Sequence, residues 1–363
     1  MDKALDKATS SNSKKKENAD ISQNSNDHST NNKSLQKENI DSKDSIEVWT
    51  KRYDFKAGTE IIFFDDFENE EIGEIPTKWH YTKGLVETVS IKSKGKAMSG
   101  EMAFLRPNWE KDYTLPDQYT IEFDIFLSGD ITGAYNYGLF FGDENYRRMA
   151  AIYTYLGEMS LHNVVSGKYE GYDKADLTEQ WHHISISVNK NNVKGYFNEF
   201  RMFNSRFPNG KIPKTFWLKN CCYKHETPYM FMMDNFKIAV GKQADIKQEI
   251  ISGKFISHSI HFNYNSDQIV ARSYAEINRI ADMLKENPEI NLSIEGHTDS
   301  DGSEEYNLSL SKKRANAVRA ALLALDVNAS RLISTGHGES KPIMENSSSE
   351  GKAMNRRVEF IRT

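Results

Sequence analysis

The sequence predicts a multi-domain chain: a disordered N-terminal tail, an all-β jelly-roll sandwich, and a C-terminal α/β domain. Three observations predict it. Residues 1–47 hold no aromatic side chain and are dense in Ser, Asn, Lys and Asp. From Tyr53 to Gly241 aromatic residues are frequent, and short apolar runs alternate with polar positions. Beyond residue 251 runs of period two are interleaved with apolar spacings of three and four, the mark of strands and amphipathic helices together.

Each part has a physical reason. The tail, 1–47, cannot bury enough apolar surface to offset the entropy of ordering it, so it reads as a flexible spacer. Its first residues, Met1 to Asp6, contain no apolar core of a signal peptide. No apolar run approaches the length of a membrane span; Ile61-Ile62-Phe63-Phe64 is typical. The formal charge of −5 is spread over interspersed acids and lysines, which disfavours bulk nucleic-acid binding. Cys221 and Cys222 are adjacent, and neighbouring cysteines do not form an ordinary unstrained disulfide. The cores must therefore carry the folds.

Within 48–241, Ile121, Phe123, Ile125 and Leu127 alternate with Glu122 and Asp124. Ile184, Ile186 and Val188 alternate with Ser185 and Ser187. Period two places each apolar set on one face of a strand. Asn189-Lys190-Asn191-Asn192 reads as a turn before Val193 to Phe197. Many short strands separated by turns suggest a β-sandwich or jelly roll. Residues 242–251 read as a polar connector.

In 252–363, Ile256, His258, Ile260 and Phe262 suggest a strand. Val270, Tyr274, Ile277, Ala281 and Leu284 suggest a helix closed by Pro288. Ile290, Leu292 and Ile294 form a second strand. Leu310, Val318, Ala321, Leu322 and Leu325 form a second helix, with Ser311 its candidate N-cap. Leu332-Ile333 and Val358 to Ile361 add two strands.

One constellation carries chemistry. Ile294-Glu295-Gly296-His297-Thr298-Asp299 ends a strand, Gly302 allows a sharp turn, and Arg314 is expected in the first turn of the next helix. Asp299 could then accept hydrogen bonds from an ammonium, while the Arg314 fork and helix-start N–H groups hold a carboxylate. From pattern alone a structural salt bridge is as good a reading. His297 and His337 read as loop or core hydrogen-bonders, and Lys312, Lys313 and Arg319 as a solvated helix face.

Gly296-His297-Thr298-Asp299, Tyr306-Asn307, Leu310-Ser311-Lys312-Lys313-Arg314-Ala315 and Glu350 through Glu359 resemble an OmpA-like domain. So do His261 to Ser266 and Gly336 to Pro342. The resemblance covers about 252–363. It implies binding of peptidoglycan stem peptide through the zwitterionic end of diaminopimelate, with Asp299 and Arg314 as principal contacts. Asn265, Asn307 and Arg357 match supporting positions. Wall binding further requires a periplasmic or outer-membrane location; since Met1 to Asp6 show no export signal, either an upstream signal or anchor segment lies outside this chain, which would allow outer-membrane association, or the start is misassigned.

Phe64-Asp65-Asp66-Phe67-Glu68, Ile72 to Pro76, Trp181 to Ile186 and Met233 to Ile238 resemble a concanavalin-like or laminin-G-like jelly roll. Such a domain could take a glycan or protein partner, which makes a wall-held glycan-binding adhesin the second reading. A glycoside hydrolase is a distant third. It needs two carboxylates about the scissile bond, and Glu122-Phe123-Asp124-Ile125-Phe126-Leu127 begins a Glu-x-Asp-x-x-Glu pattern but has Leu127 where the last Glu belongs. Glu122 and Asp124 are instead expected on the wet face of an amphipathic strand. Trp109, Tyr135, Tyr137, Tyr153 and Tyr155 are expected to pack in the core rather than form a sugar platform. No catalysis, cofactor or metal is expected.

Overall fold

The computed structural model describes residues 53–363, apart from 93, 110–112, 128–136, 146, 156, 169–176, 221–231 and 242–244. The tail expected at 1–47, the Cys221-Cys222 pair and Tyr135 lie outside the described residues.

The N-terminal part is all β. Its strands are β1 (Glu60–Asp65), β2 (Trp79–Ile91), β3 (Gly95–Pro107), β4 (Gln118–Leu127), β5 (Tyr137–Gly142), β6 (Arg148–Tyr155) and β7 (Glu158–Leu161). They continue with β8 (Val165–Lys168), β9 (Gln180–Asn189), β10 (Asn192–Phe197), β11 (Phe200–Arg206), β12 (Thr215–Asn220) and β13 (Met232–Val240). All join one antiparallel sheet in the order β11-β10-β9-β4-β13-β3-β12-β5-β6-β7-β8, with β1 on β13 and β2 on β3. The sheet curls until its two ends meet. An added Cβ at Gly167 of β8 would lie 1.9 Å from the Met202 carbonyl oxygen of β11, so only glycine permits that approach.

The predicted alternation holds in β4 and β9. Ile121, Phe123, Ile125, Leu127, Ile184, Ile186 and Val188 all point into one core. Asn189 and Asn192 close a β9–β10 hairpin, with Lys190 at φ 55°. Tyr137 is buried, its hydroxyl donating to the Phe126 and Met232 carbonyls, and Trp109 packs against the same core.

One expectation fails here. Glu122 and Asp124 are buried, at 3% and 4% exposure, rather than wet. The face that carries them is covered by the C-terminal part: Arg272 Nη1 lies 3.4 Å from Asp124 Oδ1. Strand β4 is thus buried on both faces, apolar on one and charged on the other.

The C-terminal part has helix α1 (Ile246–Ile251), β14 (Lys254–Ser257), α2 (Tyr274–Glu286), β15 (Leu292–His297), α3 (Glu304–Ala324), β16 (Leu332–Gly338), α4 (Ser349–Asn355) and β17 (Val358–Arg362). The sheet order is β14-β17-β15-β16, with β15 and β16 parallel and the other pairs antiparallel. Ile277, Ile280, Ala281 and Leu284 of α2 and Ala315, Val318 and Leu322 of α3 pack with Leu292, Ile294 and Phe360. Much of the expected connector is helix α1, capped by the Asp245 side chain and anchored by fully buried Ile250.

Three local expectations are corrected. The first strand stops at Ser257, and Phe262 makes only an isolated bridge to Ile269. Helix α3 begins at Glu304, because Ser303 and not Ser311 caps it by accepting from Tyr306 N–H. Arg319 is half-buried rather than fully solvated: its guanidinium donates to the Leu332 and Ala329 carbonyls.

Candidate functional site

The site begins with two glycines. Gly296 of β15 and Gly336 of β16 pair side by side. A Cβ on Gly296 would lie 2.3 Å from the Ser311 carbonyl oxygen, and one on Gly336 would lie 2.2 Å from Lys312 N. Their bare backbones form the trough into which α3 settles. Ser311 Oγ, mid-helix and fully buried, then accepts from Gly338 N–H at 2.8 Å and locks helix to sheet.

That seating fixes Asp299. Thr298 N–H donates to the Gly338 carbonyl, so the chain leaves β15 with Asp299 at its carboxyl end. Asp299 is 7% exposed. Its Oδ1 accepts from Asp301 N–H at 3.2 Å, and its Oδ2 lies 2.5 Å from Arg356 Nη1. Asn307 is buried and spends its amide on the Asp299 carbonyl at 3.2 Å and on Glu339 Oε2 at 2.6 Å. It therefore holds the loop that presents Asp299.

Because α3 starts at Glu304, Arg314 lies about three turns into the helix rather than in its first turn. The helix-start N–H groups do not accompany it. Its Nε donates to the Ser266 carbonyl at 3.0 Å, and its guanidinium lies over the Phe262 ring at 5.0 Å. Among the described residues neither Nη group has a hydrogen-bond partner, which leaves two parallel donors on the cleft. Burial holds its pKa below the ordinary arginine value; Arg356 adds to this, while Tyr306, Asp299 and Asp267 oppose it.

Asn265 is exposed on the loop before α2, at φ 49°, a left-handed backbone that Asn tolerates. Arg357 is 4% exposed, and its donors go to Glu359 Oε1, the Lys341 carbonyl and the Asn355 carbonyl. Its contacts brace the joint between α4 and β17. Asp299, Arg314, Asn307, Asn265 and Arg357 all line one cleft of ≈ 1000 Å³.

The opposite wall of that cleft belongs to the β region. Arg356 reaches both walls, with Nη2 3.2 Å from Asp66 Oδ2 and its guanidinium over the Phe64 ring. Sequence reasoning missed Arg356 and Asp66. Arg356 stood in a quoted motif, yet only its neighbour Arg357 was taken from it. Nothing local in the sequence marks Asp66 as a neighbour of Asp299.

Deeper in the cleft lies a charged network. Asp124 accepts from His183 Nδ1 at 2.7 Å and from Lys94 Nζ at 3.1 Å, and Glu122 pairs with Lys237 at 2.9 Å. Burial pushes both carboxyls up. Arg272, Lys94 and His183 outweigh it at Asp124, and Lys237 and His183 at Glu122, so both are held well below the usual carboxylate range. Leu127, where the hydrolase pattern needs its third carboxylate, is fully buried in the apolar core.

One group among the described residues has metal-ligand spacing: Glu295, His297 and Glu359 place ligand atoms within 4.8 Å of one another. The carboxylates are already matched. Arg357 and Lys254 pair with Glu359, and His337 Nε2 lies 2.7 Å from Glu295. The His297 ring stacks on His337; burial, then the Arg357 charge, push His297 down to about 3, so it is neutral.

The OmpA family model matches residues 261–356. Outer membrane porin F of Pseudomonas aeruginosa is 43% identical over 101 residues, which is 28% of this chain and 29% of that protein. The peptidoglycan-binding protein ArfA of Mycobacterium bovis is 36% identical over 123 residues, 34% of this chain and 37% of that protein. The chain thus spans well under half the length of these relatives. A crystal structure of the peptidoglycan-associated lipoprotein from Burkholderia pseudomallei is 33% identical, covering 29% of this chain and 88% of that one, at a TM-score of 0.27. With the family match falling on the segment that builds Asp299, Asn307 and Arg314 into one wall of the cleft, residues 261–356 are an OmpA-family domain.

Proposed function

We propose that this protein anchors its β region to the bacterial cell wall by binding peptidoglycan non-covalently through its OmpA-family domain. The observation that carries this reading is the opposed-charge pair in the cleft: a buried carboxylate at Asp299 and a guanidinium at Arg314 whose Nη groups are open. A zwitterion fits such a pair, its ammonium on Asp299 and its carboxylate on Arg314. The stem-peptide residue with that chemistry is diaminopimelate, and relatives named as a peptidoglycan-binding protein and an outer membrane porin support the same direction. The place of action is then the periplasmic side of the envelope or the outer membrane. The β region is the cargo, a laminin-G-like sandwich presented to a glycan or protein partner, and binding involves no catalytic step.

Purified sacculi test this with the full chain. The unaltered protein and Lys313→Ala should co-sediment, and Asp299→Ala and Arg314→Ala should stay largely in the supernatant. Removing one partner of such a contact costs about 2–5 kcal/mol. A stem tripeptide ending in diaminopimelate should compete, and one with lysine in its place should not, because it lacks the second carboxylate. Full sedimentation of both site variants overturns the reading.

A further inference from the structure

The ligand cleft has two walls, and the second one bears on what it binds. On the OmpA-family wall Lys352 pairs with Asp301, Arg357 with Glu359 and Arg272 with Asp124 across the cleft, which sets apart Asp299, Arg314 and Arg356. Those three comprise one negative and two positive groups. An ammonium approaching Asp299 would find that carboxylate already matched by Arg356 at 2.5 Å, with a net positive field around it. An ammonium must therefore share Asp299 with Arg356 or displace it.

The β region changes this balance. Asp66, just past the end of β1, lies in the same cleft with Oδ2 3.2 Å from Arg356 Nη2. The placement is built. Phe64 N–H donates to Glu350 Oε1 of α4 at 3.1 Å, and Lys78 Nζ pairs with the same carboxylate at 2.7 Å. The chain around Asp66 is thereby pinned to the helix that leads into Arg356. With Asp66 present the four groups sum to zero, and Arg356 has a second carboxylate to lean on when an ammonium takes its place on Asp299.

We propose that Asp66 is a specificity-determining residue of the β region: it completes the cleft as a two-domain site selective for ligands with a free ammonium beside a carboxylate. The proposal rests on the peptidoglycan reading above and names what that reading lacks, a role for the β region in choosing the ligand. Asp66 acts through Arg356, so it is a positioning residue.

The test titrates full-length protein with two probes by calorimetry: a stem tripeptide ending in diaminopimelate, and the same peptide with that residue's free amine acetylated. The unaltered chain should prefer the free amine. Asp66→Asn, which keeps the shape and removes the charge, should lower affinity for the free-amine peptide about fivefold, the scale of a partly exposed ion pair. It should leave the acetylated peptide unchanged or bound more tightly. Asp66→Glu should restore the preference, which a merely structural role would not require. Equal loss for both peptides, or no change for either, overturns the role of Asp66 while leaving the wall-binding reading intact. No binding of either peptide by the unaltered chain overturns both.

Discussion

Arg356 Nη1 rests 2.5 Å from Asp299 Oδ2, so the carboxylate that would receive a ligand's ammonium already holds a cation of its own chain. Ligand and Arg356 compete for one acceptor. Arg356→Gln should remove the competitor and leave Asp299 and Asp66 unneutralised. Affinity for the free-amine stem peptide should rise by up to about fivefold, the scale of one partly screened charge. Calorimetry on the full-length variant checks this, and weaker binding would show that Arg356 is itself a ligand contact.

Arg314 uses Nε for the Ser266 carbonyl and keeps its Nη pair for the cleft. A lysine retains the charge but cannot do both tasks, because it lacks the planar fork. Arg314→Lys should bind sacculi about tenfold more weakly, by the rule that a charge-assisted contact is worth over 1 kcal/mol. Amide hydrogens across Asn263–Gln268 should also exchange faster as that loop loses its tether. Unchanged exchange would separate the ligand role from the loop role.

Gly336 leaves no room for a methyl group, with Lys312 N only 2.2 Å from its Cβ position. The obstructing atom is helix backbone, which cannot swing aside. Gly336→Ala should destabilise the domain by about 1–3 kcal/mol through overpacking and reduce sacculus binding as α3 shifts. Urea denaturation measures the first effect and sedimentation the second.

Asp234 supplies a pH signature. Burial, with Asp124 adding and Lys94 opposing, raises its pKa to about 8. The folded chain therefore keeps a proton there that the unfolded chain releases near pH 4, at about the reference carboxylate pKa. The stability tied to that proton is complete below about pH 4 and is lost as pH rises towards 8. Asp234→Asn has no such proton to lose, so its stability relative to the unaltered chain should climb between about pH 4 and 8. Parallel stability curves across that range would refute the assignment.

Much of the fold was legible where one physical rule acted alone. Alternation in β4 and β9 placed Ile121 to Leu127 and Ile184 to Val188 in the core correctly, because period two leaves a strand no other way to bury them. Spacing of three and four located most of α2. The errors came where a second rule competed. Ser311 has N-cap chemistry, but Ser303 stands before a longer helix, and Ser311 is instead the pin between α3 and β16. Glu122 and Asp124 look solvated in any one-strand reading. The arrival of Arg272 from the C-terminal part, together with Lys94 from the β2–β3 turn and Lys237 and His183 on neighbouring strands, makes their burial tolerable.

The site itself was half legible. Asp299, Arg314, Asn307 and Asn265 belong to short ordered motifs, and the structure gathers them on one cleft. Asp66 is separated from Arg356 by 290 positions. No spacing rule reaches that far, so only the packed domains reveal it.

Arg356 and Arg357 are neighbours between α4 and β17 and both line the cleft, yet Arg356 reaches Asp299 and Asp66 while Arg357 is held against Glu359. Arg356 is the C-cap of α4 and Arg357 the next residue towards β17, so one step along the chain separates the arginine that bridges the two walls of the cleft from the one that braces the joint. A one-residue insertion or deletion in the joint after α4 would carry Arg356 away from Asp299 and Asp66 without altering the composition of β17. If the cleft holds a wall peptide as proposed, the register at which the chain enters its last strand is itself a determinant of binding.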